Sequence, residues 1–197
     1  MHAGYSRNLK NPDLFSFRAM TEPIIDLASD QYFMGEALRQ AARAFEADEV
    51  PVGAVVVRDG RIIARASNQV ETLKDATAHA EMLAITQAES VLDDWRLADC
   101  DLYVTKEPCP MCAGALVHAR LRRVIFGCGD AKGGAAGGLI NILQMPQLNH
   151  RCEITSGVRH DECRALLQDF FLEKRNAAKH PDITKTKPRR HEDTKVD

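Results

Sequence analysis

The chain has 197 residues and a mass of 21.9 kDa, the size of one ordinary domain with tails. Hydrophobic residues make up 45% and charged residues 27%, which allows a buried core and excludes wholesale disorder. No uncharged stretch is long and apolar enough to predict a membrane span. The net charge of −2 hides an asymmetry: residues 1–117 contain 11 Lys and Arg against 18 Asp and Glu, and residues 118–197 contain 15 against 10. The basic second half is compatible with a polyanionic partner, although such tails are often only solubilising.

The six cysteines are even in number, as a disulfide-bonded protein would require. A chain of this length needs no disulfide staples, however, and it shows no signal peptide. Cys128, Cys152 and Cys163 lie in or beside apolar stretches, where lone cysteines usually act as small hydrophobes. The sequence therefore predicts a reducing, cytoplasmic setting.

Hydrophobic periodicity predicts an α/β domain over residues 29–177. Residues 1–28 are predicted to be a poorly ordered N-terminal extension, and the polar residues 178–197 a flexible charged tail. In chain order, the patterns first predict a helix over 31–48 and two strands over 52–57 and 61–65 that are joined by an Asp59-Gly60 hairpin turn. A helix over 79–88, capped by Asp75 or Thr77, a strand over 102–105 and a short helix from Cys109 follow. The last predicted elements are a strand over 123–127, a glycine-rich loop over 130–138, a strand over 153–155 and a helix over 161–176.

The final helix is predicted to turn five apolar side chains inward, those of Cys163, Leu166, Leu167, Phe170 and Phe171. Because Phe170 and Phe171 are adjacent, only one of them can point fully into the core. Helices alternating with strands predict a mixed sheet covered on both faces.

Two short motifs carry the chemical signal: His79-Ala80-Glu81, and Pro108-Cys109-Pro110-Met111-Cys112. Two cysteines separated by two residues at a helix start can place both sulfurs on one ion, and the positive helix end favours their thiolate form. His79 also lies at a predicted helix start, so the same sheet edge could bring the three side chains together. Three protein ligands and one open position are typical of a catalytic zinc site rather than a structural one.

Glu81 is too close to His79 in the sequence to be a comfortable further ligand. Zinc lowers the pKa of a bound water from about 15.7 to about 7. A carboxylate beside that water can accept its proton and pass it to a ring nitrogen and then to a leaving amine. The two motifs together therefore predict a hydrolytic site with its own proton shuttle.

The His-x-Glu and Pro-Cys-x-x-Cys motifs are the signature of zinc nucleobase deaminases. More narrowly, residues 30–175 resemble the bacterial tRNA-specific adenosine deaminases. The matching stretches are Val50-Pro51-Val52-Gly53-Ala54-Val55, Asn68, Thr77-Ala78-His79-Ala80-Glu81, Glu107-Pro108-Cys109, Met111-Cys112-Ala113-Gly114-Ala115, Asp130-Ala131-Lys132, Gly134-Ala135-Ala136-Gly137, Asn149-His150-Arg151 and Asp169-Phe170-Phe171. The resemblance implies a three-layer α-β-α cytidine-deaminase-like fold with a central mixed five-stranded sheet.

The resemblance also implies the reaction, which is conversion of adenosine to inosine at the wobble position of a tRNA anticodon, with release of ammonia. One Zn²⁺ per subunit would be bound by His79, Cys109 and Cys112, and Glu81 would be the proton shuttle. The family works as a homodimer that contacts the anticodon loop with both subunits. The implied substrate-binding residues are Val50, Asn68, Ala80, Pro108, Asp130, Lys132, Asn149, Arg151 and Phe171.

The chain departs from the family pattern at two positions. Lys106 stands where a small or apolar residue is usual, and strand alternation predicts that it faces away from Glu107, with a possible contact to an RNA phosphate. Gly138 stands where a serine is more usual, which removes one nucleotide contact from the expected set.

Other functions remain open at this point. A guanine, cytidine or related small-molecule deaminase is the main alternative, because the cysteine motif also resembles that of guanine deaminases. A catalytically silent zinc protein that only positions RNA is a third hypothesis, and the presence of Glu81 opposes it. A thioredoxin-like redox role would leave His79-Ala80-Glu81 unexplained.

Overall fold

A computed structural model describes residues 26–179 of the protein. Most of the predicted N-terminal extension and nearly all of the predicted tail lie outside these residues. The elements in chain order are α1 (Asp30–Glu46), β1 (Gly53–Arg58), β2 (Arg61–Ser67), α2 (Val70–Leu73), α3 (Ala80–Leu92), β3 (Cys100–Lys106), α4 (Pro110–His118), β4 (Arg123–Cys128), β5 (Glu153–Ser156) and α5 (His160–Lys179). None of the helices among residues 26–179 has the length and apolar character that a membrane crossing requires.

The five strands form one mixed sheet in the order β2-β1-β3-β4-β5. β1 pairs antiparallel with β2 and β3, and β4 pairs parallel with β3 and β5. The predicted turn between β1 and β2 is present: Asp59 and Gly60 both have positive φ, as a two-residue type I′ hairpin requires.

Helices cover both faces of this sheet, which confirms the predicted three-layer fold. Alternate residues of each central strand point to opposite faces, so Leu102 and Val104 pack against α3 and α4, whereas Tyr103 packs against α1 and α5. The N-terminus of α1 is capped by Ser29, whose hydroxyl accepts a hydrogen bond from the amide of Tyr32.

The structure corrects three details of the sequence prediction. His79 itself is the N-cap residue of α3, because Asp75 instead accepts hydrogen bonds from the amide and hydroxyl of Thr77 in the preceding turn. Phe171 does not point inward: it is 45% exposed, whereas Phe170 is buried against Phe45. Helix α5 also continues through Lys179, two residues into the predicted tail.

The close packing of α1 on the sheet gives a stability prediction. A Cβ atom at Gly53 would lie 2.1 Å from the carbonyl oxygen of Ala37 and 2.3 Å from the amide nitrogen of Ala41, both backbone atoms that cannot move aside. We expect Gly53→Ala to lower the free energy of unfolding by about 1–3 kcal/mol in urea titrations.

The matched control is Gly114→Ala on α4, where an added Cβ meets nothing within 4 Å. Because alanine is the better helix former, this variant should be as stable as the parent or more stable by up to about 1 kcal/mol. Equal stabilities for the two variants would show that α1 does not pack as described.

Candidate active site

Two helix N-termini meet beside the end of β3. His79 is the N-cap residue of α3 and Cys109 is the N-cap residue of α4, with Pro110 in the first helical position. Neither side chain caps its own helix, so the imidazole and the thiol are free to turn toward each other. Cys112 lies in the first turn of α4 and is fully buried. The topology therefore brings the three predicted ligands to one edge of the sheet, as the sequence predicted.

The donor atoms have the spacing of a metal site. Nδ1 of His79 lies 3.7 Å from Sγ of Cys109 and 3.5 Å from Sγ of Cys112. Tetrahedral zinc with bonds of about 2.3 Å to sulfur and about 2.0–2.1 Å to nitrogen would place these atoms about 3.6 Å apart. Within residues 26–179 no other group of three His, Cys, Asp or Glu side chains has such spacing. The nitrogen and sulfur donors also suit zinc better than magnesium or calcium.

The two thiols differ sharply in acidity. A hydrogen bond from Cys112, helped by His79, lowers the pKa of Cys109 to about 3, and the same hydrogen bond raises the pKa of Cys112. One thiolate is therefore stable at neutral pH on the protein's own contacts. A divalent cation between the sulfurs would stabilise the second thiolate as well.

Glu81 lies in the first turn of α3 and is only 4% exposed. Burial raises the pKa of its carboxyl group, and the positive charge of His79 opposes part of that rise. A raised pKa makes a carboxylate a stronger proton acceptor than an ordinary glutamate. Glu81 lines the same cavity as His79 and Cys109, which is where the sequence predicts an acid–base group.

These residues open into a cavity of about 270 Å³, which suits a single nucleobase or nucleoside better than a large ligand. Val50 and Asn68 line it, as predicted for substrate-binding residues. Ala80 is buried in the first turn of α3, where an amide has no acceptor within the helix. Pro108 is buried beside Cys109, and its carbonyl oxygen accepts a hydrogen bond from the amide of Ala135.

Two buried glutamates support the site, although both lie outside the two short sequence motifs that predict the metal site. The first is Glu49. Its carboxylate accepts hydrogen bonds from the side-chain amide of Asn68 at 3.2 Å and from the backbone amides of Glu71 and Thr72. Burial raises the pKa of Glu49, but the hydrogen bonds from Thr72, Glu71 and Asn68 outweigh that effect and lower it. Glu49 therefore fixes the orientation of Asn68 at the cavity wall. In the sequence, only the position of Glu49 directly before the Val50-Pro51 stretch could have indicated this role.

The second buried glutamate is Glu107, which organises the glycine-rich loop. Its carboxylate accepts hydrogen bonds from the backbone amides of Asp130, Ala136 and Gly138 at 2.8–2.9 Å. A Cβ atom at Gly138 would lie 2.4 Å from the Glu107 carboxylate, so a serine at this position would require the carboxylate to move. Glycine at position 138 is thus matched to the way the Glu107 carboxylate packs against the loop.

Lys106 and Asp130 form an ion pair at the cavity. Lys106 is the last residue of β3 and lines the cavity together with Glu107, so the separation of the two side chains by strand alternation stays a prediction. The hydrogen bond from Lys106 lowers the pKa of Asp130, and the amides of Lys132 and Gly133 also donate to this carboxylate. Asp130 is therefore fixed beside the cavity. Lys132 has an exposed side chain on the same turn.

Of the nine predicted substrate-binding residues, only Val50 and Asn68 line the cavity itself, and Asn149, Arg151 and Phe171 belong to other parts of the fold. Asn149 and Arg151 precede β5, whereas the predicted ligands Cys109 and Cys112 follow the carboxyl end of β3, at the opposite ends of the parallel strands. Asn149 accepts a hydrogen bond from Arg120, and the side chain of Arg151 is exposed. Phe171 follows Phe170, which borders a groove that shares Val50 and Glu71 with the cavity.

Comparison with known proteins identifies the family. The model for the MafB19-like deaminase family matches residues 28–175. The tRNA-specific adenosine deaminase of Bacillus subtilis is 50% identical over 153 residues, which cover 78% of this chain and 95% of that protein. The chain belongs to the tRNA-specific adenosine deaminase family.

Solved structures agree with this assignment. A tRNA:A34 deaminase, from work on A-to-I editing at the wobble position of transfer RNA, is 46% identical, with a TM-score of 0.67 and coverage of 69% of this chain and 99% of that one. The guanine deaminase of Nitrosomonas europaea is more distant, with 26% identity, a TM-score of 0.63 and coverage of 72% and 84%. The tRNA deaminases are thus nearer in sequence than this guanine deaminase, while the fold is common to both.

The role of Glu107 gives a prediction. Glutamine at this position would turn one carboxylate oxygen into a donor that faces backbone amide donors, leaving at least one buried amide without an acceptor. We expect Glu107→Gln to lower the free energy of unfolding by about 2–4 kcal/mol. Urea denaturation measures this value.

Glu153→Gln is the control, because Glu153 is exposed at the start of β5. It should change the free energy of unfolding by less than about 0.5 kcal/mol. If Glu107→Gln were equally mild, Glu107 would not hold the loop through its carboxylate.

Proposed function

We propose that this protein is a zinc-dependent hydrolase that deaminates adenosine to inosine at the wobble position of tRNA anticodons and releases ammonia. The observation that carries the proposal is the contact of His79 with Cys109 and Cys112 at tetrahedral spacing, with the buried Glu81 beside them. The site alone supports hydrolytic deamination of a nucleobase, and family membership indicates that the substrate is adenosine in tRNA. A cytoplasmic location follows from that substrate.

One Zn²⁺ per subunit would be held by Nδ1 of His79 and by the two thiolates. When bound, zinc supplies the Lewis acidity that makes a water molecule a nucleophile at neutral pH. The helix N-termini at His79 and Cys109 add positive potential that stabilises the thiolates. Burial of Cys112 and Glu81 keeps bulk water away from both groups.

Glu81 moves the protons of the reaction. Its carboxylate accepts one proton from the attacking water and delivers it to a ring nitrogen of adenine; it then accepts the remaining proton of the new hydroxyl group at C6 and delivers that to the amine as the C–N bond breaks. Water oxygen is thereby retained at C6, and ammonia leaves. The raised pKa of Glu81 suits this exchange, because the carboxyl group must gain and lose a proton in each turnover.

The other predicted residues position the substrate in this proposal. Asn68 and the amide of Ala80 hold the flipped nucleoside, and Val50 and Pro108 contact its base. Asp130, Lys132 and Phe171 contact neighbouring nucleotides. Taking a base out of its stack costs a few kcal/mol, and an anticodon loop lowers that cost because its bases are already unpaired.

A homodimer is part of the proposal, since Asn149 and Arg151 lie far from the cavity of their own chain. The segment that precedes them exposes four apolar side chains: Leu139 at 57%, Ile140 at 43%, Met145 at 38% and Leu148 at 37%. Clustered exposed apolar residues mark protein interfaces. We propose that a second copy covers this segment and that Asn149 and Arg151 contact RNA bound across the two subunits.

The dimer predicts a change of mass on substitution. The double variant Leu139→Glu/Met145→Glu would place two charges in the interface, so it should elute as a monomer in size-exclusion chromatography with light scattering, whereas the parent elutes as a dimer. The control Val91→Glu alters an equally exposed apolar residue on α3 and should leave the dimer intact. A parent that is monomeric at micromolar concentration would contradict the interface.

The alternative function is a small-molecule deaminase, and the shared fold with guanine deaminase is the observation that favours it. The deciding assay incubates the protein with a tRNA bearing adenosine at the wobble position and, separately, with guanine, cytidine and adenosine. Inosine in the tRNA with the free compounds unchanged is the expected result. Turnover of guanine with untouched tRNA would overturn the proposal.

The role of Glu81 predicts that activity and zinc content separate on substitution. Glu81→Gln keeps the shape of the side chain but removes the proton acceptor, so kcat should fall by at least about 10²–10⁴-fold while each chain keeps one zinc by elemental analysis. Glu89→Gln, eight residues further along α3, is the matched control and should retain activity. If zinc content falls in step with activity, Glu81 holds the site together rather than moving protons.

A further inference from the structure

Lys106 is a charged residue that lines the cavity beside the candidate metal site. It is the last residue of β3, three residues before the metal ligand Cys109. Its ammonium donates a hydrogen bond to Oδ2 of Asp130, and about one third of its side chain is exposed, at 32%. The charge is thus held at the cavity rim rather than extended into solvent.

Lys106 lies in a cavity whose other charged side chains are mostly acidic. Four glutamates line the same cavity: Glu49, Glu71, Glu81 and Glu107. Among the cavity-lining residues of the described chain, Lys106 is the one side chain with a permanent positive charge. An anionic backbone that approached such a wall would meet carboxylates, and a fixed cation at the rim would offset that repulsion.

The ion pair with Asp130 fixes the position of the Lys106 ammonium group and leaves some of its N–H donors available. Oδ1 of Asp130 accepts hydrogen bonds from the amides of Lys132 and Gly133, and the amide of Asp130 donates to Glu107, so both the carboxylate and the backbone of Asp130 are fixed. An ammonium group has three donors, and Asp130 takes one of them. The other donors are available to a second acceptor at the cavity entrance.

We infer that Lys106 binds a non-bridging oxygen of a backbone phosphate that flanks the adenosine, and that Asp130 positions it. The inference rests on the proposed function, because it needs an RNA substrate. The competing explanation is structural: Lys106 would only hold Asp130 and its loop in place.

The test is a double-mutant cycle between the protein and the RNA. The substrates are anticodon stem-loops with wobble adenosine, either unmodified or with one neutral methylphosphonate on the 5′ or the 3′ side of that nucleotide. With the zinc-loaded enzyme, Lys106→Met should lower kcat/KM about tenfold on the unmodified RNA. On one of the two methylphosphonate RNAs the same substitution should have almost no further effect, because the contact is already lost.

The salt dependence of RNA affinity tests the same contact in a second way. Removing one phosphate contact to a single strand should reduce the slope of log affinity against log salt by about 0.7. Lys179→Met is the charge-matched control at the end of α5, and it should leave kcat/KM and the coupling unchanged. Lys106→Arg keeps the charge and should retain most of the activity on unmodified RNA.

Each other outcome overturns the inference. An equal loss on all three RNAs, together with a lower Tm, would assign Lys106 to the loop rather than to phosphate. No loss on any RNA would exclude the contact altogether. A wild-type enzyme that leaves the unmodified stem-loop untouched would refute the proposed function and the inference together, whereas a fully active wild type without coupling refutes only the role of Lys106.

Discussion

His79 and Cys109 stand at the N-caps of two helices that pack on the same face of the sheet, and their side chains turn toward each other instead of capping. This arrangement sets the rest of the site. It places Cys112 within one turn of Cys109 and Glu81 within one turn of His79, and it directs the positive ends of both helices at the thiolates. The N-cap of α4 directly follows the buried residues Glu107 and Pro108, and the turn before α3 is held by the hydrogen bonds from Thr77 to Asp75.

Two buried carboxylates hold the residues around the two helix N-termini in place. Glu49 accepts backbone and side-chain donors that fix Asn68, and Glu107 accepts three loop amides that fix Asp130. Both groups neutralise amide dipoles that would otherwise be unsatisfied in the protein interior. The wall of the cavity is therefore built from hydrogen bonds to charged groups, which are stronger than those between neutral groups. Lys106 then balances part of the negative charge that this construction leaves at the rim.

Much of this could be predicted from the sequence. Apolar periodicity located the main helices and strands, the Asp59-Gly60 turn fixed the first hairpin, and the metal-binding motifs predicted which side chains meet. Long-range relations were harder: nothing local shows that Glu49 reaches Asn68, or that Asn149 lies at the sheet edge remote from Cys109. The ion pair of Lys106 with Asp130 likewise joins the end of β3 to a residue 24 positions further along the chain, which no local pattern shows. Such features depend on how elements pack together, which periodicity cannot reveal.

In the proposed site, one imidazole nitrogen and two thiolate sulfurs hold a single zinc ion. X-ray absorption at the zinc edge of the purified protein measures that coordination. The expected result is one zinc per chain with two sulfur neighbours at about 2.3 Å and one nitrogen neighbour at about 2.0–2.1 Å, completed by a light-atom ligand. Four sulfur neighbours, or sub-stoichiometric zinc in active protein, would contradict it.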